Sequence, residues 1–120
     1  MSQIGEALLD FDIGGGDTVS IISETRPEAV YADIAIQGTG GTSVAIHADS
    51  SAEQIAYVLQ ATGTRLVFVE NEEQLDKILS IRDQCPALAR VVIFDMKGLR
   101  EFADPMCQSF AAFARPGRRH

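Results

Sequence analysis

Between residues 18 and 96 the chain alternates short runs of β-branched and aromatic residues with capped segments whose apolar residues recur at helical spacing. No other feature limits the fold as much. Runs that are apolar throughout, instead of alternating apolar and polar, belong in strands whose sheet is covered by helices on both faces. The first run is Val19-Ser20-Ile21-Ile22-Ser23, too continuous in bulky residues for a surface helix. Ser43-Val44-Ala45-Ile46-His47, Leu66-Val67-Phe68-Val69 and Val91-Val92-Ile93-Phe94 follow as the second, third and fourth.

The segments between them carry helix start and stop signals. Thr25 precedes Pro27 and Glu28, so its hydroxyl can accept a free helix N–H while Glu28 reaches back. Val30, Ile34 and Ala35 are the expected buried stripe of this helix, and the glycines from Gly38 to Gly41 end it. Asp49-Ser50-Ser51 with Glu53 and Gln54 opens a second helix, whose Ile55, Val58, Leu59 and Thr62 form one face before Gly63 stops it. Asn71 caps a third, with Gln74 three residues on and Leu75, Ile78 and Leu79 as its apolar face, up to Pro86. Strand, helix and strand in this succession predict parallel pairing through right-handed crossovers. The fold class is α/β, a Rossmann-like or flavodoxin-like parallel sheet of about four strands with intervening helices, with the strand order left open.

The organisation expected is one domain with three stretches: an N-terminal helix and Gly-rich turn over 1–17, the parallel α/β core over 18–96, and an irregular C-terminal tail over 97–120. In the first, Glu6 to Leu9 form the short helix and Gly14-Gly15-Gly16-Asp17 the turn; in the last, Phe102, Phe110 and Phe113 pack weakly before the basic end Arg115-Pro116-Gly117-Arg118-Arg119-His120. A chain of 120 residues can close a single core with little to spare. Its 17 acidic against 10 basic residues give a formal charge of −7, which repels nucleic acid and anionic lipid surfaces. No apolar run reaches the roughly 20 residues that span a bilayer, and the start Met1-Ser2-Gln3-Ile4-Gly5-Glu6 has no signal-peptide character, so the expected location is cytoplasmic. Cys85 and Cys107 form no Cys-x-x-Cys pair or zinc spacing and read as ordinary cytosolic thiols.

Each candidate for chemistry has a plainer explanation. Gly38-Thr39-Gly40-Gly41-Thr42 invites a phosphate-loop reading, but phosphate loops run from a strand into a helix, whereas this segment leaves a helix for a strand. Gly14-Gly15-Gly16 is likewise a loop before a strand. His47 stands at a strand end, where ligands collect in open α/β sheets, with no nucleophile motif or second histidine beside it. Glu70, Glu72, Glu73 and Asp76 surround a helix start, where negative charge favours the helix dipole. Asp95 with Lys97 only partly imitates a phosphoacceptor site of the receiver type, because the first strand ends in Ser23-Glu24 and not in paired acids. The basic tail reads as a frayed terminus. No catalytic, cofactor-binding or metal-binding residue is assigned.

Read as a string, Val19-Ser20-Ile21-Ile22-Ser23-Glu24-Thr25-Arg26-Pro27-Glu28 resembles the early strand and helix start of adenylate-forming (AMP-binding) acyl-CoA synthetases. The likeness continues through Ala32-Asp33-Ile34-Ala35-Ile36-Gln37, Gly40-Gly41 and the stretch from His47 to Leu59, which is similar to the family's Tyr-Pro-Thr-Ser-Ser-type loop and next helix. Leu66-Val67-Phe68-Val69-Glu70-Asn71-Glu72-Glu73-Gln74-Leu75-Asp76-Lys77 is similar to the long-chain fatty acid CoA ligase branch. Together these segments cover about residues 5–105. Two departures are His47-Ala48 in place of an aromatic-proline pair, and Gly14-Gly15-Gly16 in place of a more varied loop.

The resemblance implies a partial domain of the adenylate-forming ligase fold. In the intact family, ATP, Mg²⁺ and coenzyme A serve the activation of a carboxylate to an acyl-adenylate and its transfer to a thioester. This sequence contains no Thr-Ser-Gly-Thr-Thr-Gly-x-Pro-Lys-type phosphate loop, no later acidic motif for the ribose and no C-terminal domain with the catalytic lysine. The expectation is a ligase fragment that binds no cofactor by itself, is inactive alone, and either self-associates or needs a complementary ligase fragment. The alternatives are a non-enzymatic α/β binding or interaction module and an independent nucleotide-binding domain.

Overall fold

A computed structural model describes residues 17–23, 27–38, 40–95 and 107–109. Five parallel strands, β1 (Thr18–Ile22), β2 (Thr42–Ile46), β3 (Leu66–Val69), β4 (Arg90–Ile93) and β5 (Cys107–Ser109), form one sheet in the order β2-β1-β3-β4-β5. Helices α1 (Pro27–Gly38), α2 (Ala52–Thr62) and α3 (Glu72–Ile81) connect the first four strands, and a 3₁₀ turn (Arg82–Gln84) extends α3. This is the flavodoxin-like order, in which the chain starts near the middle and reverses direction between β1 and β3. The four expected strands lie within one residue of their expected limits. β5 is an addition, falling in the stretch expected to be irregular; Cys107-Gln108-Ser109 has no apolar run, and its extended form comes from pairing with Val91, Val92 and Ile93. The expected N-terminal helix, the Gly14–Gly16 turn, the Thr25 cap, Lys97, the three tail phenylalanines and the basic end lie outside the described residues.

Side-chain alternation explains the unbroken apolar runs. Ile22, Val67, Val69, Val91 and Ile93 point to one face and pack with Ile55, Leu59, Leu75 and Ile78 of α2 and α3. Val19, Ile21, Leu66, Phe68 and Val92 point to the other, where Ala32, Ala35 and Ile36 of α1 meet them. Phe68 is fully buried and stacks on Phe94, ring centroids 5.6 Å apart and planes 10° from parallel. One polar thread crosses the α2 and α3 side: the Ser20 and Thr64 hydroxyls are 2.7 Å apart, those of Thr64 and Thr62 2.7 Å apart, and the Thr62 hydroxyl donates to the Val58 carbonyl at 2.7 Å.

The caps of α2 and α3 form as their sequences predict. Ser51 and Gln54 make a reciprocal capping box, the Asn71 side chain accepts the Gln74 N–H, and Gly63 closes α2 in the left-handed region at φ 65°. The expected stripe of α1 is corrected. Ala35 is buried, but Val30 and Ile34 are 49% and 50% exposed, and Ala32 and Ile36 take the core face instead. Two alanines let the helix approach the sheet closely, and Asp33 accepts hydrogen bonds from the Ser43 hydroxyl of β2 and from Gln37. That anchor fixes the rotation of a helix whose apolar residues lie on every side.

Candidate functional site

In sheets of this order, ligands bind outside the carboxyl ends of the strands at the reversal between β1 and β3. The segments that meet there are Ser23 after β1, the loop 47–51 after β2, Glu70-Asn71 after β3 and Phe94-Asp95 after β4. Backbone bonds align the ends: the Glu70 N–H donates to Ile22 and the Asp95 N–H to Glu70, at 3.0 and 2.8 Å. Asn71, Glu72, Glu73 and Asp95 border an open depression of about 350 Å³. Glu72 and Glu73 are exposed in the first turn of α3, where the helix dipole favours them without a ligand.

The loop after β2 is held from α3. Lys77 donates to the carbonyls of Ala48 and Ser50, both at 2.9 Å, and the buried Gln74 amide donates to Ala48 at 3.0 Å. Residues 74 and 77 stand three apart, so both reach one side of α3. The sequence marks Gln74 only as a helix-start residue and gives no signal for Lys77, because their partners lie 26 to 29 residues earlier. Beside this loop, Ser50, Glu53, Gln54, Tyr57 and Val58 border a second open depression of about 460 Å³.

His47 stays at the surface, its Nδ1 accepting the Asp49 N–H at 3.3 Å and lying 3.8 Å from the Asp49 carboxylate. The glycine turn after α1 does capping work: the N–H groups of Gly40 and Gly41 donate to the carbonyls of Gln37 and Ile36, both at 3.1 Å. Those groups face helix carbonyls, so the turn does not fit a phosphate cradle. Cys85 is buried, which pushes its thiol pKa up and disfavours the reactive thiolate, while Cys107 is half-buried. Among the described residues no group of three or more His, Cys, Asp or Glu side chains is placed to hold a metal, and no helix is long and apolar enough to cross a membrane.

Comparison with known proteins places this geometry. The chain is 34% identical over 85 residues to the long-chain-fatty-acid–CoA ligase FadD15 of Mycobacterium bovis, covering 71% of this chain and 14% of that ligase. It is 36% identical over 74 residues to the long-chain-fatty-acid–CoA ligase ACSBG2 of Xenopus laevis, covering 62% of this chain and 10% of that protein. Among solved structures, the anthranilate CoA ligase AuaEII in complex with anthranoyl-AMP superposes with a TM-score of 0.82 at 26% identity, covering 96% of this chain and 20% of that one. The chain thus spans about a seventh or less of the length of these two curated relatives. A family model described as AMP-binding enzyme matches residues 1–112, and the chain belongs to that family.

Proposed function

We propose that this chain is the N-terminal α/β portion of a long-chain fatty acyl-CoA ligase, that it binds neither ATP nor coenzyme A by itself, and that it does not catalyse ligation unaided. One observation carries the reading: a family match over residues 1–112 joined to a share of only 14% and 10% of the two ligases' lengths. Adenylation depends on fixed donors and cations around the phosphates, where charge develops in the transition state. The glycine turn most like such a cradle uses its N–H groups to close α1, and the sequence holds no phosphate loop of the ligase type. The chain's role is then structural, as one layer of a larger ligase assembled with a complementary fragment or with itself. Its setting is cytoplasmic, and the charge of −7 argues against nucleic acid as partner.

The test is pyrophosphate release from ATP with Mg²⁺, a long-chain fatty acid and coenzyme A. The purified chain is expected to match the protein-free blank. Fatty acid-dependent release that stays with the chain through successive purification steps would refute the proposal.

A further inference from the structure

β2 is the outer strand of the sheet, and among the described residues no strand pairs with its far side. A strand's backbone sends its N–H and C=O groups to its two sides in turn. The Thr42 N–H donates toward β1, to the Asp17 carbonyl at 2.8 Å, so Thr42, Val44 and Ile46 bond inward while Ser43 and Ala45 present their groups outward. Natural sheet edges are blunted by lysine, proline, a bulge or an inward-pointing charge. Thr42-Ser43-Val44-Ala45-Ile46 has no lysine, no proline and no charge, and its register with β1 runs without a bulge. Thr42 and Ala45 are exposed, so the edge is open to solvent.

Resting on the reading in which the chain assembles with a complementary fragment or with itself, we infer that this edge pairs with β2 of a second copy, antiparallel about a two-fold axis at Val44. In that register Ser43 of one copy exchanges N–H and C=O groups with Ala45 of the other, and the two Val44 side chains stand opposite each other as a close β-branched pair. The strand is its own complement there, because it carries no charge to set against its like. Pairing β2 with the opposite edge, β5, would leave free edges at both ends and run on, whereas β2 against β2 closes at two copies. An edge of five residues hides far less than the roughly 800 Å² per partner of a standard interface, so the dimer is weak and transient. The Asp33 carboxylate, bonded to Ser43 beside the edge, and the charge of −7 on each copy both oppose it, and salt screens both.

The experiment is sedimentation equilibrium of the full chain up to millimolar concentration, at low and at high salt, with amide exchange followed by NMR. The expected result is a monomer–dimer equilibrium that tightens as salt rises. Exchange at Ser43 and Ala45 should slow as concentration rises, while exchange at Val44, already bonded to β1, stays the same. Ala45→Pro removes an outward N–H that the monomer does not use, and Ala45→Lys sets a charge on the edge. Each should weaken the dimer about tenfold and leave the melting temperature at low concentration unchanged. Where Ala45→Pro fails to fold, Ala45→Lys and the exchange of the unaltered chain still decide. A chain that stays monomeric at high salt would overturn the inference, as would a dimer that neither variant weakens, or growth beyond two copies. Protection of the Ala45 amide at the lowest concentration would give the edge to another segment of this chain and overturn it too. Pyrophosphate release by the isolated chain would refute its proposed inactivity and leave sedimentation to decide the β2 edge separately.

Discussion

Replacing Thr64 by valine keeps the shape of the side chain and breaks the hydroxyl thread between β1 and α2. The direction of that thread follows from its far end. The Thr62 hydroxyl gives its only proton to the Val58 carbonyl, so Thr64 must donate to Thr62, and Ser20 must donate to Thr64. Ser20 is fully buried, and Thr64 1% exposed, so neither can turn to water. Thr64→Val leaves the Ser20 proton without an acceptor and should cost about 2 kcal/mol, within the range for a buried donor left unmade. Ser20→Ala alone loses one bond and should cost about 1 kcal/mol. In the Thr64→Val background, however, Ser20→Ala removes the stranded donor and should restore about 1 kcal/mol. The effect of one substitution thus changes sign with its background, which a double-mutant cycle read by urea unfolding at constant m would detect. Each kcal/mol corresponds to roughly 4 °C in a thermal scan of a domain this size. Additive costs, with Ser20→Ala destabilising both backgrounds alike, would refute the assigned proton order.

Two further outcomes concern the loop clamp and the buried thiol. Lys77→Met should free the Ala48 and Ser50 carbonyls, lower stability by about 1 kcal/mol and speed amide exchange across residues 48–51 about fivefold, measured by hydrogen exchange; unchanged exchange would show that the loop holds itself. Burial raises the Cys85 pKa, so above about pH 8.5 the unfolded chain releases that proton first and binds fewer protons than the folded one. Stability should therefore fall as pH rises from there, and Cys85→Ala should make the decline shallower; identical slopes in urea titrations at pH 8 and pH 10 would contradict the assignment.

Elements were legible in the sequence where two local signals agreed. In α3, a capping Asn71 precedes Leu75, Ile78, Leu79 and Ile81 on a helix whose other positions are polar or charged, so only one rotation buries the apolar side. The rotation of α1 was not legible, because Val30, Tyr31 and Ile34 are as apolar as Ala32, Ala35 and Ile36. The deciding contact is between Asp33 and Ser43, on different elements. β5 was hidden for a related reason, since a three-residue strand takes its form from a neighbour already in place. At the strand ends, the solvated His47 and the capping role of Gly40-Gly41 could be read locally. The hold of Lys77 on residues 48 and 50 could not, being set by how α3 packs beside α2 and meets the loop after β2.

The strand order also sets a timetable for synthesis. Val19 pairs with Ser43 on one side and Leu66 on the other, so the second partner of β1 is made only after 47 more residues. When β2 leaves the ribosome, β1 can pair on one edge alone, and at about 5–20 residues per second β3 follows roughly 1–5 s later. With every pairing parallel and no local hairpin to nucleate the sheet, folding among the described strands depends on closing long crossovers, which is slow. During that interval the apolar flank of β1 is open to any other strand edge that reaches it first. The nascent chain is thus exposed to mispairing for seconds at the strand around which the finished sheet is built.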